Sequence, residues 1–235
     1  MADLVRLEFD DMGVATITLD HPPLNIYDLA MRDALIEAIS AIRDVPDARA
    51  LLLRAAGRHF GAGADLSEFG SAESIFEARR IRWDRDPWIP LLNLPIPSVA
   101  ELHGHTVGSG MEMSLLCDIR IASADLRLGL PETRLGMLPA AGGTQSLTRA
   151  IGAHAASPIV LTARVLDADE ALRRGIIWHI ADDVEAEARR LAEHLAGLDP
   201  DVVRAMKSGL GAAYDLSLDA GLELERGLAA QVAAG

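Results

Sequence analysis

Short apolar strands alternate with amphipathic helices through the first half of the chain, and this alternation is the feature that most limits its fold. Period-two alternation predicts a β-hairpin over Val5–Phe9 and Val14–Leu19. A helix is predicted after this hairpin, with Asp28 as its N-cap. Further strands are predicted over 49–54, 98–102 and 119–123, and helices over 73–92 and 110–117. Such alternation indicates an α/β fold whose sheet is mostly parallel, with right-handed crossover connections.

From Gly143 onward the pattern changes, and almost every segment is predicted to be helical. The predicted helices cover residues 144–151, 155–162, 167–174, 184–195, 201–210 and 216–232. We therefore expect the chain to divide near residue 150, with an α/β core that holds the active site in residues 1–150 and a helical C-terminal region in residues 151–235.

Charge and composition exclude several classes of partner. The net charge of −13 disfavours binding to nucleic acids and to anionic membranes, and the one basic segment, 78–83, is followed at once by Asp84 and Asp86. The N-terminal segment is charged and unlike a signal peptide, and no apolar run is long enough for a membrane span. With Cys117 as its single cysteine, the chain has no disulfide framework, and we expect a cytoplasmic protein.

The segment HFGAGADL, residues 59–66, follows a predicted strand and is almost without side chains in its middle. Small residues in this position let a ligand approach the backbone closely, with N–H groups directed at it. An ordinary glycine-rich turn would have the same composition.

The segment GSGMEM, residues 108–113, begins an apolar helix, and Glu112 is the only formal charge between Leu102 and Cys117. Unpaired N–H groups at the start of a helix stabilise an anion. We expect the same turn to hold the charge of Glu112, so that the pKa of Glu112 lies above its ordinary value of about 4.3 and below neutrality. The alternative is an early-helix acid that only favours the helix dipole.

A third segment, LPETRLGMLPAAGGTQSL over residues 130–147, is rich in turn formers and carries Glu132. Loops of this kind place side chains rather than fill a core, although Glu132 could also be a solvated loop carboxylate. Two carboxylates suit general acid–base work on a water molecule, and two backbone N–H donors from separate segments suit an oxyanion such as a thioester enolate.

Five motifs together resemble the enoyl-CoA hydratase/isomerase (crotonase) superfamily, in its hydratase-like branch. They are HPPLN, HFGAGADL, HGHTVGSGMEMSLLCDIRIAS, LGLPETRLGMLPAAGGTQSLTR and LTARVLDADEALRRGIIWHI. The resemblance implies a core of repeated ββα units, a C-terminal trimerisation region, and trimers or dimers of trimers. It also implies acyl-CoA thioester substrates, with coenzyme A as part of the substrate, no separate cofactor and no metal.

The resemblance assigns roles to individual residues. The two acid–base glutamates correspond to Glu112 and Glu132, and the oxyanion N–H groups to Ala64 and Ser109, where relatives usually carry glycine at the second position. Water and substrate positioning falls on Gly108, Pro131 and Ala140, and coenzyme A contacts fall on the backbone near Leu24, Ala62, Ala64, Asp65 and Leu66.

The chain also departs from the family pattern. Ser67 stands where many relatives carry a lysine for the coenzyme A phosphates, which leaves Arg54 or Arg58 as substitutes. Relatives usually continue past residue 225 through a further segment that can close the acyl pocket, so we expect acyl preference to differ here. The leading hypothesis is a 2-enoyl-CoA hydratase. The alternatives are an enoyl-CoA isomerase or another crotonase-type reaction, and a non-catalytic acyl-CoA-binding trimer.

Overall fold

The computed structural model describes residues 4–70, 74 and 85–234. The strands in this part of the chain are β1 Val5–Phe9, β2 Val14–Leu19, β3 Ala50–Ala55, β4 Ser98–Leu102, β5 His105–Val107, β6 Ile119–Ala122, β7 Arg127–Gly129, β8 Val165–Asp167 and β9 His179–Ile180. The helices are α1 Leu29–Arg43, α2 Ser67–Gly70, α3 Trp88–Leu92, α4 Ser109–Leu115, α5 Gly143–Ile151, α6 Ala153–Leu161, α7 Ala168–Arg173, α8 Val184–Ala196, α9 Pro200–Ala212 and α10 Leu218–Ala234, with a 3₁₀ helix over Pro131–Leu135.

The strands form two sheets, and the larger one confirms the predicted α/β fold. Its order is β1-β2-β3-β4-β6-β9, in which only the β1–β2 hairpin is antiparallel. Every residue of β2 and of β4 is buried, as expected of parallel strands covered on both faces. The smaller sheet has the order β5-β7-β8 and carries the start of α4 at the end of β5.

Helices α1 and α8 cover opposite faces of the larger sheet. In α1 the buried residues Met31, Leu35, Ile39 and Ile42 recur at three- and four-residue spacing, and Asp28 caps the helix by accepting a hydrogen bond of 2.7 Å from the Met31 N–H. On the other face, α8 buries Ala188, Ala192 and Ala196 against Val14, Ala50, Leu52, Val99 and Ile121. Alanine at every fourth position lets α8 lie close to the sheet.

The sequence prediction lacks two details. The smaller sheet is absent from it, and the mostly helical region after Gly143 also contains two short strands, because β8 pairs with β7 and β9 pairs with β6. Strands of two or three residues are too short to give a period-two pattern, which explains both omissions. The division near residue 150 stays a prediction, although strands on both sides of it share the same sheets.

The last two helices, α9 and α10, contain no buried residue. Their attachment to the core includes Lys207, the single lysine of the chain, whose Nζ lies 2.7 Å from Asp118 Oδ2 and donates to the Ile96 carbonyl at 2.8 Å. These helices and the turn between them expose large apolar side chains: Met206, Leu210, Tyr214, Leu216, Leu218 and Leu222. A trimerisation role for this region stays a prediction.

Part of the predicted helix over 73–92 lies outside the described residues, and so does the basic segment 78–83. Of the described residues in that range, 88–92 form α3, whereas 74 and 85–87 are not helical. None of the helices in the described ranges is long and apolar enough to cross a membrane.

Candidate active site

The two glycine-containing segments of the sequence meet backbone to backbone. A Cβ on Gly110 would lie 2.7 Å from the Gly61 carbonyl oxygen, and a Cβ on Gly61 would lie 3.3 Å from the Gly110 Cα. Gly61 also pairs with β5, since its N–H donates to the His105 carbonyl at 3.0 Å and its carbonyl accepts from the Val107 N–H at 2.9 Å. The glycines therefore permit this close approach, which fixes residues 61–66 beside the start of α4.

The motif HPPLN has a structural role in holding the same region. The Asn25 side chain is buried, and its Nδ2 donates to the carbonyls of Ala56 at 2.9 Å and His59 at 2.7 Å. Its Oδ1 accepts from the His21 N–H at 2.8 Å. Asn25 thus joins the loop before α1 to the segment that leads into HFGAGADL.

Ala64 and Ser109 both line one cavity at this junction. Ser109 is the first residue of α4, so its N–H has no acceptor within the helix, and Ala64 lies in an isolated bridge with Tyr27. Neither N–H donates to a backbone or side-chain acceptor in the described part of the chain. Both donors are therefore available to a ligand oxygen.

Gly108 connects β5 to α4 and has φ 56° and ψ −127°. A Cβ at this position would lie 3.1 Å from Glu132 Oε1 and 3.2 Å from the Gly63 Cα. Glycine is thus required both by the positive φ and by the closeness of its neighbours. The same contact places the carboxylate of Glu132 beside the turn that presents the Ser109 N–H.

Glu112 is 2% exposed, and its carboxylate is held from outside its own helix. Its Oε1 accepts hydrogen bonds from the Ala141 N–H at 2.9 Å and from the Gly143 N–H at 2.8 Å. These donors belong to the loop before α5 and to the first residue of α5. The expectation that the Gly108–Gly110 turn stabilises the charge of Glu112 was wrong. The N–H groups that donate to this carboxylate lie at the N-terminus of α5 and in the loop before it.

The pKa of Glu112 is raised to about 7: burial is the main cause, the Gly143 and Ala141 N–H groups oppose the rise, and the nearby Glu132 carboxylate adds to it. The upward direction confirms the sequence-based expectation that the pKa lies above its ordinary value. At neutral pH Glu112 can therefore both accept and release a proton.

Glu132 is 9% exposed and is the second residue of the 3₁₀ helix that begins at Pro131. Burial raises the pKa of Glu132, and its own backbone N–H opposes the rise. Its Oε2 is buried and has no hydrogen-bond partner among the described residues. A carboxyl in this environment favours the protonated form more than one that accepts hydrogen bonds.

One cavity collects most of the predicted site residues. Those that line it are Ala62, Ala64, Leu66, Gly108, Ser109, Glu112, Pro131, Glu132 and Ala140. Leu24 and Asp65 do not line it. Leu24 accepts a hydrogen bond from the Ala62 N–H at 2.9 Å, and the Asp65 N–H donates to the Tyr27 carbonyl at 3.0 Å.

The sequence prediction missed seven residues that line this cavity: Tyr27, Gly63, Trp88, Leu135, Met137, Leu138 and Ala141. Most are apolar, and a pattern of apolar residues in loops does not distinguish a substrate pocket from core. Ala141 could have been found only from its place in the turn before α5.

The two arginines proposed as substitutes for the missing lysine lie in different settings. Arg54 is engaged elsewhere, since its Nη1 lies 2.7 Å from Glu185 Oε1 and its Nε lies 3.6 Å from Glu101 Oε2. Arg58 is exposed and directly precedes His59 and Phe60. It forms no ion pair with any described residue. Within residues 4–70, 74 and 85–234, no cluster of His, Cys, Asp and Glu could hold a metal ion.

Sequence comparison finds a matching protein family and several similar proteins. The family model described as enoyl-CoA hydratase/isomerase matches residues 10–234. The chain is 34% identical over 221 residues to a probable enoyl-CoA hydratase of Mycobacterium tuberculosis, covering 93% of this chain and 85% of that protein. It is 31% identical over 234 residues to the mitochondrial methylglutaconyl-CoA hydratase of Mus musculus, covering 96% of this chain and 74% of that protein.

Solved structures agree with the sequence comparison. The enoyl-CoA hydratase from Bacillus anthracis superposes with a TM-score of 0.92 at 31% identity, covering 99% of this chain and 92% of that one. DspI of Pseudomonas aeruginosa superposes with a TM-score of 0.92 at 30% identity, covering 99% of this chain and 89% of that one.

Proposed function

The chain belongs to the enoyl-CoA hydratase/isomerase family, and we propose that it is an enoyl-CoA hydratase that adds water across the C2=C3 double bond of a 2-enoyl-CoA thioester. The observation that carries the proposal is the pairing of two buried glutamates, Glu112 and Glu132, in one cavity with two unused backbone N–H groups. Double-bond isomerisation needs one base, whereas addition of water uses one group to activate water and another to protonate carbon.

The environments of the two carboxylates suggest different roles. Two N–H donors stabilise the ionised form of Glu112, which suits a base that takes a proton from water as the oxygen bonds to C3. Glu132 has a buried oxygen without a donor, which suits an acid that gives its proton to C2. The product gains hydroxyl at C3 and hydrogen at C2. Transfer of the proton from Glu112 to Glu132 through the next water restores the starting state.

The Ala64 and Ser109 N–H groups would stabilise the charge that forms on the thioester oxygen when water adds to C3. Donors fixed in a backbone cost no reorganisation at that moment, and each is typically worth about 10²-fold or more in rate. Gly108, Pro131 and Ala140 would position water and substrate between the carboxylates.

For coenzyme A, we propose backbone contacts near Leu24, Ala62, Ala64, Asp65 and Leu66. The N–H groups of Ala62 and Asp65 already donate within the chain, so their contacts would use carbonyl oxygens. Arg58 is the better placed of the two arginines for the phosphates, because Arg54 is paired with Glu185. No cofactor besides the coenzyme A of the substrate forms part of this proposal.

The acyl group is proposed to be apolar. The described lining of the cavity includes Tyr27, Trp88, Met137 and Leu138 but no arginine, lysine or histidine. A second carboxylate on the acyl group, as in a methylglutaconyl thioester, would enter beside two glutamates without a cation to pair with.

The test is incubation of the purified protein with crotonyl-CoA, following the loss of the conjugated thioester absorbance and identifying the product. Formation of 3-hydroxybutyryl-CoA supports the proposal. Migration of the double bond in a longer 3-enoyl-CoA, without hydration, would instead identify an isomerase. Tight binding of acyl-CoA without any turnover would indicate a non-catalytic binding protein.

A further inference from the structure

A second cavity lies behind the loop that holds Glu112. Trp88, Ala140 and Ala141 line both this cavity and the one that contains the two glutamates. These three residues, which we call the dividing wall, therefore lie between the cavity of the two glutamates and a second pocket that is partly open to solvent, where Ile89 and Leu92 are exposed.

The two cavities differ in size. The first has a volume of about 130 Å³, and the second, which is partly open to solvent, has a volume of about 670 Å³. A pocket for a drug-sized ligand is typically ~300–1,000 Å³, so the first space is small for an extended acyl chain, whereas the second is large enough. Apolar side chains contribute much of the lining of the second cavity: Ile89, Leu92, Leu115, Leu116 and Cys117.

Trp88 is held in place on several sides. Its ring lies against that of Tyr27, with 5.1 Å between the centroids, and its backbone N–H donates to Asp86 Oδ1 at 2.9 Å at the start of α3. Trp88, the bulky member of the dividing wall, is thus anchored both to the segment just before its own helix and to the loop before α1.

We propose that the dividing wall ends the acyl pocket and restricts the enzyme to short acyl groups, with Trp88 as the specificity-determining residue. This inference rests on the proposed function. A longer chain that enters the first cavity meets the wall, and the second cavity is the space it would occupy if Trp88 were removed.

The wall also connects chain length to the chemistry. Ala141 belongs to the wall, and its N–H donates to Glu112 at 2.9 Å. A chain that presses on Ala140 and Ala141 moves a donor of the proposed base. Long substrates should therefore lose kcat as well as binding.

The experiment compares kcat and KM for crotonyl-CoA, 2-octenoyl-CoA and 2-dodecenoyl-CoA in wild type and in Trp88→Ala. We expect wild-type kcat/KM to fall by about 10-fold or more from crotonyl to dodecenoyl, a difference of the size that a few methylenes produce in an apolar pocket. In Trp88→Ala the dodecenoyl to crotonyl ratio should rise by about 10-fold or more. The matched control is Trp178→Ala, because Trp178, just before β9, is 60% exposed and its loss should leave the ratio unchanged.

A double variant tests where the longer chain goes. Leu92 lines the second cavity, so Trp88→Ala with Leu92→Trp fills that space and should abolish the gain for dodecenoyl-CoA. Wild-type turnover of dodecenoyl-CoA equal to that of crotonyl-CoA would overturn the proposal, as would an unchanged ratio in a folded Trp88→Ala protein.

Calorimetric binding of butyryl-CoA and lauroyl-CoA separates this proposal from the proposed function. If no enoyl-CoA is hydrated, the proposed hydratase function is contradicted. Tighter binding of butyryl-CoA than of lauroyl-CoA in wild type, reversed in Trp88→Ala, would still support the role of the dividing wall. Equal binding of both thioesters in wild type and variant, or binding of neither, would overturn it.

Discussion

Glu112 Oε1 accepts a hydrogen bond of 2.8 Å from the backbone N–H of Gly143, a residue 31 positions further along the chain. A Cβ on Gly143 would lie 3.0 Å from both Cγ and Oε1 of Glu112 and 3.0 Å from Leu130 Cδ1. The proposed base is therefore positioned by a glycine that contacts it directly.

The first prediction follows from this contact. Gly143→Ala should displace the Glu112 carboxylate and lower the rate of hydration by about 10-fold or more, because small misplacement of a catalytic group is costly. Binding of a saturated acyl-CoA should persist. The measurement is kcat for crotonyl-CoA, with Gly221→Ala as control, since a Cβ on Gly221 meets nothing within 4 Å. Full activity in Gly143→Ala would show that the contact does not matter.

Glu132→Gln provides the second prediction. The substitution keeps the shape of the side chain but removes the proton donor, so hydration should fall by about 10²-fold or more, within the range for general acid–base catalysis. Steady-state kinetics with crotonyl-CoA measures the effect, and Glu225→Gln, at an exposed position of α10, is the matched control. Near-wild-type turnover would remove Glu132 from the mechanism.

The third prediction concerns pH. Because the pKa of Glu112 is raised to about 7 and the base must be ionised, kcat/KM should fall as the pH drops through about 7. Glu112→Gln should lose most of the activity together with this acidic limb. Binding of a non-reactive acyl-CoA should continue, since the Ala64 and Ser109 donors are backbone groups. Loss of binding in the variant would mean that Glu112 mainly supports the loop before α5.

Much of the fold was predictable because its central elements are long and strongly patterned. The β1–β2 hairpin, β4 and the capped helix α1 carry clear periodicity, whereas β5, β7, β8 and β9 are two or three residues long and owe their existence to pairing with distant segments. Local sequence carries little information about such pairing.

The two glutamates of the candidate site were predictable from the sequence, but the groups that hold Glu112 were not. Glu112 and Glu132 were identifiable from the sequence because a carboxylate is unusual in an apolar or glycine-rich segment. Their partners were not, because the Ala141 and Gly143 N–H groups that hold Glu112 are backbone groups, which every residue except proline has. Only the path of the chain brings them to the carboxylate, and the same holds for Trp88, whose sequence neighbours give no sign that it lies between two cavities.

The fourth prediction is a trimer-based oligomer. Helices α9 and α10 bury no residue within one chain, and Leu210 and Leu218 are 73% and 77% exposed. Exposed apolar surface of this kind is typical of a contact with another chain, which is the basis of the prediction. Sedimentation at micromolar concentration should give a trimer or a dimer of trimers, and Leu210→Asp with Leu218→Asp should weaken it. A wild-type monomer would contradict the prediction.

The fifth prediction concerns Glu101, which is 3% exposed on β4 and does not line the cavity that holds Glu112 and Glu132. Its Oε2 lies 3.6 Å from Arg54 Nε without a hydrogen bond, and Arg54 pairs instead with Glu185. Burial raises the pKa of Glu101 to about 7, which the Arg54 charge only partly opposes.

The sign of the effect on stability follows from this shift. Below the unfolded-state pKa of about 4.5 Glu101 is protonated in both states, and as the pH rises to about 7 the unfolded state ionises first. The group therefore lowers the free energy of unfolding across this window, by about 3 kcal/mol at most. Glu101→Gln removes the titration, so the variant should gain stability relative to wild type between pH 5 and pH 8. Urea unfolding at both pH values measures this gain, and Glu223→Gln, at an exposed position of α10, should show none. A stability difference between Glu101→Gln and wild type that does not change with pH would mean that Arg54 keeps Glu101 ionised throughout.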